Sequence, residues 1–211
     1  MTTLTSLKAR VADDLARSDL TSQIANAISD AITHYQPQRF YFTESRDATF
    51  VTVAAQSRYS SSDDADIPKF VKFDAVFLVD SSSIVYELEM RPPVEMENLL
   101  DSGAPSGRPH SYAYFANGFQ LFPIPDAVYT IRPVGVIRKD APATDGEANN
   151  VWMTEAYELL RCRAKLYLAV HVLKNTDMAL IMQAAEKEAL SKLRSETTKK
   201  AAGGRVLATA F

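Results

Sequence analysis

Near the start of the chain, apolar side chains recur every three or four positions. Leu4, Leu7, Val11 and Leu15 fall on one face of a helix that Thr2 or Thr3 could cap. Arg17-Ser18-Asp19 breaks the pattern. Leu20, Ile24, Ile28, Ile32 and Tyr35 then mark a second helix, with Asp19 or Thr21 as its expected N-cap and Pro37 as its end. Two short antiparallel helices are the simplest inference. From Phe40 to Arg138 the period changes to that of strands. Phe50, Val51 and Val53, Phe70 to Asp80, and Ser83 to Leu88 have the β-branched and aromatic content of extended chain. Tyr59 to Pro68, rich in serine and aspartate, reads as an exposed loop. Pro92-Pro93 interrupts the strands, Val94 to Leu100 predicts a short helix, and Asp101 to Pro109 a polar turn.

The stretch from Gly107 to Arg132 is the most specific local signal. Gly107-Arg108-Pro109 forms a turn-like entry, Tyr112 to Phe115 alternates aromatic and small residues, and Phe119 to Phe122 returns as a second strand. Asn117-Gly118 between them suits the positive φ angles of a type I′ turn. Pro123 and Pro125 stop that strand, and Asp126 to Arg132 begins a third extended segment. Asp140 to Asn150 reads as a loop. Helical spacing returns near Thr154, the expected N-cap, with Glu155 and Glu158 at the positive end of the helix dipole. Leu159, Cys162 or Arg163, Leu166, Val170 and Leu173 continue it to Lys174. Asn175-Thr176-Asp177 reads as a C-cap followed by a new N-cap. Ile181, Ala184, Ala185, Glu188, Ala189 and Lys192 build a last, alanine-rich helix, ended by Ala201-Ala202-Gly203-Gly204. Arg205 to Phe211 is a short apolar tail. The pattern thus predicts an α+β chain that is mainly a helical bundle, with two N-terminal and two C-terminal helices in residues 1–39 and 151–200. A small antiparallel β module is inserted at 40–150, and an extended tail occupies 201–211.

At 211 residues, 46% hydrophobic and 23% charged, the chain has the makeup of one globular domain, or one domain with a compact insertion. Its single cysteine, Cys162, excludes an internal disulfide framework and fits a reducing cytoplasm. The charged N-terminal segment has no apolar run suited to a signal peptide, and no stretch approaches the roughly 20 apolar residues of a membrane span, so no membrane partner is expected. A formal net charge of −3 suggests no bulk affinity for nucleic acid, but the charge is uneven. Lys192 to Phe211 holds five basic residues and one acid, a net of +4, which leaves −7 on the remaining 191 residues. An acidic body with a basic tail invites an interaction reading. The competing reading is that Lys192 and Arg194 complement the negative end of the last helix.

Catalytic chemistry is nearly absent from the sequence. No Gly-rich phosphate loop occurs, since Gly203-Gly204 has neither the spacing nor the lysine. His34, His110 and His171 have no partner at metal-ligand spacing, so no metal or cofactor is expected. Cys162 lies between Arg161 and Arg163, which could depress a thiol pKa, but a lone helical cysteine is usually an inert small hydrophobe. Glu87, Glu89, Glu95 and Glu97 form two i, i+2 pairs that would share a face on a strand, as glycosidase-like chemistry could use; a solvated face explains them equally. Tyr112, Tyr114, Phe115, Phe119 and Phe122 could stack on single-stranded nucleic acid, but Arg108 is the only nearby charge before Arg132 apart from Asp126, and a core beneath the hairpin is the simpler use.

Four ordered stretches nevertheless carry a resemblance. They are Ile24-Ala25-Asn26-Ala27-Ile28 through Ala31-Ile32-Thr33-His34-Tyr35 with Arg39-Phe40-Tyr41-Phe42; Gly107-Arg108-Pro109 with Tyr112; Leu121-Phe122-Pro123-Ile124-Pro125 with Tyr129; and Asn150-Val151-Trp152 with Glu158-Leu159-Leu160-Arg161. Together, over residues 4 to 195, they resemble the head-to-tail adaptor proteins of tailed bacteriophages, especially short-tailed ones. The resemblance implies a structural virion protein of the neck, made in the host cytoplasm and not an enzyme. It implies a ring, typically dodecameric, of copies beneath the portal protein, extending the DNA channel and docking the next tail or nozzle protein. Duplex DNA would pass through without specific binding, and an acidic body would suit that lining because negative charge repels phosphate. The family's C-terminal segment often contacts the portal, which here implies Lys199, Lys200, Arg205, Val206, Leu207 and Phe211 as portal-binding residues. Such a tail, hinged at Gly203-Gly204, looks like a segment ordered by its partner, and the loops at Ser60 to Asp66 and Asp101 to Ser106 are expected to meet the downstream component. Two other readings stand beside it: a tail-associated peptidoglycan hydrolase built on Glu87 to Glu97, and a nucleic-acid-binding regulator using the basic C-terminal residues.

Overall fold

Backbone hydrogen bonding follows the change of period along the chain, and the computed structural model describes residues 2–201. Those residues form six α-helices and nine strands: α1 Leu4–Leu15, α2 Thr21–Tyr35, β1 Glu44–Ser45, β2 Phe50–Val51, β3 Arg58–Tyr59, β4 Phe70–Val79, β5 Val85–Glu87, β6 Glu89–Met90, α3 Pro93–Asp101, β7 Ser111–Phe115, β8 Gly118–Phe122, β9 Thr130–Ile137, α4 Val151–Glu155, α5 Tyr157–Tyr167 and α6 Thr176–Ala201. The chain divides into two compact units. Glu44–Arg138 make a β unit, and Met1–Thr43 with Lys139–Phe211 make a helical unit.

The expected architecture, mainly a helical bundle with a small β module, does not hold. The described β unit contains two sheets, of five and four strands, and is a principal part of an α+β protein. It is not purely antiparallel either, because β6 pairs with β7 in parallel. The extra strands escape sequence reading for a physical reason. β1, β2, β3 and β6 are two residues each, too short to display alternation.

In the helical unit, Leu7 and Val11 of α1 and Ile24, Ile28, Ile32 and Tyr35 of α2 pack with Trp152, Met153, Leu159, Leu160, Ala164 and Leu168. These are the apolar faces that the spacing marks. Thr3 caps α1, its hydroxyl accepting from the Ser6 N–H in a reciprocal capping box. Neither Asp19 nor Thr21 caps α2. Leu20 occupies the N-cap without a side-chain bond, and Asp19 pairs with Arg17 instead. The helix expected from Thr154 to Lys174 is three pieces. Asn150 caps α4, its side chain accepting from the Trp152 N–H, α5 follows a break at Ala156, and Leu168–Val172 continues as a π-turn. Asn175 then accepts from the Met178 N–H at the start of α6.

In the β unit the five-stranded sheet runs β1-β9-β4-β5, with β2 also on β9, and the four-stranded sheet runs β3-β8-β7-β6. Phe50, Val76, Leu78 and Ile131 of the first meet Tyr59, Tyr112, Phe119 and Leu121 of the second in one core. The hairpin β7–β8 is present, but its turn lies one residue earlier than expected. Ala116 and Asn117 take the positive φ angles, 51° and 59°, and Gly118 pairs with Phe115 as the first residue of β8. The reason is packing: a Cβ on Gly118 would sit 2.8 Å from the Tyr59 carbonyl oxygen. Gly135 of β9 is tighter still, since its Cβ would lie 2.0 Å from the Lys72 carbonyl, where β4 is bulged between Phe70 and Lys72 and between Phe73 and Ala75.

Candidate functional site

The residues proposed for partner binding lie at the end of α6. Lys199 and Lys200 sit in its last turn, whereas Arg205, Val206, Leu207 and Phe211 lie outside the described residues. That last turn is fixed to the segment after α2. Leu193 is buried, Arg194 donates to the Gln38 side chain at 3.2 Å, and the Tyr41 N–H donates to the Thr197 hydroxyl at 3.2 Å. Lys200 places its ammonium 3.2 Å from the centre of the Tyr41 ring, a cation–π contact. The Tyr41 hydroxyl in turn donates to Glu155, and burial followed by that bond raises its pKa. Phe42 stacks on Phe40 and meets Trp152 edge-on, so the aromatic anchor reaches the unit's core. It is Lys199 and Lys200 that complement the helix dipole; Lys192 and Arg194, for which that role was the alternative, lie further in.

Two ion-pair groups hold α5 and α6 in place. Asp14 accepts from Arg161 at 2.6 and 2.9 Å and from Lys165 at 2.9 Å. The Arg161 bond chiefly, with Lys165, depresses its carboxyl to about 2 against the opposition of burial. Buried Glu186 accepts from the Tyr35 hydroxyl and from Arg163 at 3.1 Å. Burial first, then that carboxylate, raises the Tyr35 pKa. No sequence signal points to either group, because the partners are far apart along the chain.

The candidate catalytic groups are engaged otherwise. Cys162 is 3% exposed, and burial followed by Glu158 pushes its thiol up to about 11, the reverse of nucleophile activation. A groove of about 610 Å3 between α5 and α6 has Cys162, Ala185 and Ala189 along it with Glu158, Glu188 and Lys192. His34 faces Arg163, and burial foremost, then that guanidinium, lowers its pKa. His171 lies against Tyr167, and His110 against Phe122. The four glutamates do not share a face: Glu87 ends β5, Glu89 begins β6 in the other sheet, and Glu95 and Glu97 lie on α3. Arg91 holds Glu89 and Glu95, while Arg58 and Gln120 bind Glu97 at 2.7 and 2.5 Å. Tyr112 and Phe119 are core residues, leaving Phe115 as the widely exposed aromatic of the hairpin. Among the described residues no group of three or more His, Cys, Asp or Glu could hold a metal, and no helix is long and apolar enough to cross a membrane.

The acid of the body is concentrated in one place. Residues 44–138 carry thirteen Asp and Glu against eight Lys and Arg, a net of −5, while the rest of the chain is +2. An α+β chain with packed interiors, ion-paired carboxylates and a basic helix end fixed by aromatic contacts is built as a carrier of interaction surfaces. The chain belongs to the SU10 adaptor protein family, whose model matches residues 2–208, and it is a structural head-to-tail adaptor of short-tailed bacteriophage. Such an adaptor has its place in the virion neck, between portal and tail components. A comparison with curated proteins finds no match.

Proposed function

We propose that the chain forms a ring of copies under the portal protein, prolongs the DNA channel and docks the next tail component. The observation that carries this is the fixed root of the C-terminal segment. The end of α6 is held by Leu193, Thr197 and Lys200, so ten further residues leave from a braced cationic helix end. Lys199 and Lys200 with Arg205, Val206, Leu207 and Phe211 make the portal contact, the charges steering and the apolar side chains anchoring. The net −5 of the β unit supports a channel lining over which duplex DNA slides without specific binding.

The test is electron microscopy of the protein mixed with its cognate portal. Wild type gives a ring stacked on the portal; removal of residues 202–211, or Lys199→Glu with Lys200→Glu, abolishes the stacking. Intact stacking and infectious virions with the deletion overturn the portal-binding role of the tail.

A further inference from the structure

We infer that in the free chain residues 202–211 lie back along a furrow beside α6 of the same molecule, so that the portal contact proposed above competes with an internal one. The furrow runs between α6 and the stretch that ends α4 and forms α5. Two hollows that share Glu158, Ala189 and Lys192 make it continuous, with Glu155 and Glu196 at one end and Cys162 and Ala185 at the other. The hollow at the second end measures about 610 Å3, and the small side chains of Cys162, Ala185 and Ala189 leave that room. The first end adjoins the place where the helix stops. Glu155 accepts from the Tyr41 hydroxyl, and the Tyr41 ring carries the ammonium of Lys200, next to the last residue of α6.

Length selects the occupant. From Ala201 the chain has to return about 7.5 Å along the helix axis to stand level with Glu196. Ala202-Gly203-Gly204 can span about 10 Å, and glycine past a helix end admits the left-handed conformation in which a chain turns back. Arg205 to Phe211 then covers about 20 Å when extended, against about 16 Å of helix from Glu196 to Ala185. The order of side chains agrees with that direction. Arg205, the only charge in residues 202–211, follows the glycines and falls at the end held by Glu155 and Glu196. Val206, Leu207 and Phe211 come after it, toward the roomier hollow beside Cys162, Ala185 and Ala189. A tether of three residues gives the segment an effective concentration in the millimolar range at its own furrow, which a second copy at micromolar concentration does not match. The portal therefore receives a segment already held against its own helix, and must draw it out.

Disulfide trapping in the free full-length chain tests the placement, with Cys162→Ser as background. Ala185→Cys with Ala210→Cys is expected to close within one chain about tenfold faster than Lys187→Cys with Ala210→Cys, because residue 187 lies about 200° around the helix from residue 185. Both pairs, when reduced, are expected to keep the unfolding curve of the background. Arg205→Glu added to the first pair is expected to slow its closure about fivefold. Equal rates for the two pairs, or no slowing by Arg205→Glu, overturn the inference. Disulfides at twice the chain mass overturn it in favour of the furrow of a second copy. Cognate portal is expected to keep the first pair open; closure at an unchanged rate on the portal overturns the portal contact of the tail and leaves the internal one standing.

Discussion

Replacing Asp14 by asparagine removes the anion on which two cations converge. The carboxyl stands at about 2 instead of 3.8 in the folded protein, a difference produced first by the Arg161 hydrogen bond and next, in the lowering direction, by Lys165. At 1.36 kcal/mol per unit the depression corresponds to roughly 2.4 kcal/mol. The Asp14 side chain is 17% exposed and the pair is partly screened, so we expect about 1–2 kcal/mol. The folded value is below the unfolded one, so the contribution is complete above about pH 4 and is lost as pH falls toward 2. Urea unfolding of wild type and Asp14→Asn, at steps from about pH 7 to about pH 2.5, measures this directly. The stability gap should be about 1–2 kcal/mol at neutral pH and shrink by more than half at the acid end. Asparagine does not titrate, so the difference isolates Asp14 from every other carboxylate. A gap that is absent at neutral pH, or unchanged down to the acid limit, refutes the reasoning.

Two further outcomes follow from packing. Gly135→Ala would drive a Cβ into the backbone of β4, 2.0 Å from the Lys72 oxygen, and should cost about 3 kcal/mol in urea unfolding; a loss under about 1 kcal/mol would mean the strands yield freely. Cys162, buried and with its thiol held up at about 11, should resist an aromatic disulfide reagent near neutral pH and react fully in urea; rapid reaction of the native protein would contradict its assigned environment.

What the sequence made legible was local. The faces of α1 and α2 could be read because Leu7, Val11, Ile24, Ile28 and Ile32 all lie in one core. The hairpin was also readable, but Asn117-Gly118 misplaced its turn because the glycine answers to the Tyr59 carbonyl on a neighbouring strand, which no local rule contains. Thr154 looked like an N-cap, yet Asn150 starts the helix earlier because its side chain reaches the Trp152 N–H. The size of the β unit was missed because its short strands derive their order from β8 and β9, not from their own composition. At the candidate site, Lys199 and Lys200 were visible as charge, but the Tyr41 ring that fixes Lys200 is contributed by a segment far away in sequence.

The attachment of α6 explains how a helix can be firmly placed and still keep a side free. Among its described residues only Glu186 and Leu193 are fully buried, with Ala189 and Leu190 packed partly buried against the same core, so apolar area alone does not set its rotation. Directional contacts do that instead: Glu186 to Tyr35 and Arg163, Thr197 to the Tyr41 backbone, Arg194 to Gln38 and Lys200 to the Tyr41 ring. Hydrogen bonds and ion pairs of this kind fix rotation about the helix axis more sharply than interchangeable aliphatic contacts. Only a rotation of about half a turn would bring Leu180 and Ile181, which lie opposite the buried side, inward to bury area, a gain of about 1.5–3 kcal/mol for each side chain. The buried Glu186 opposes it, since turning away from Tyr35 and Arg163 would leave a carboxylate unpaired at a cost of roughly 3–5 kcal/mol. The polar contacts therefore hold the aliphatic side outward.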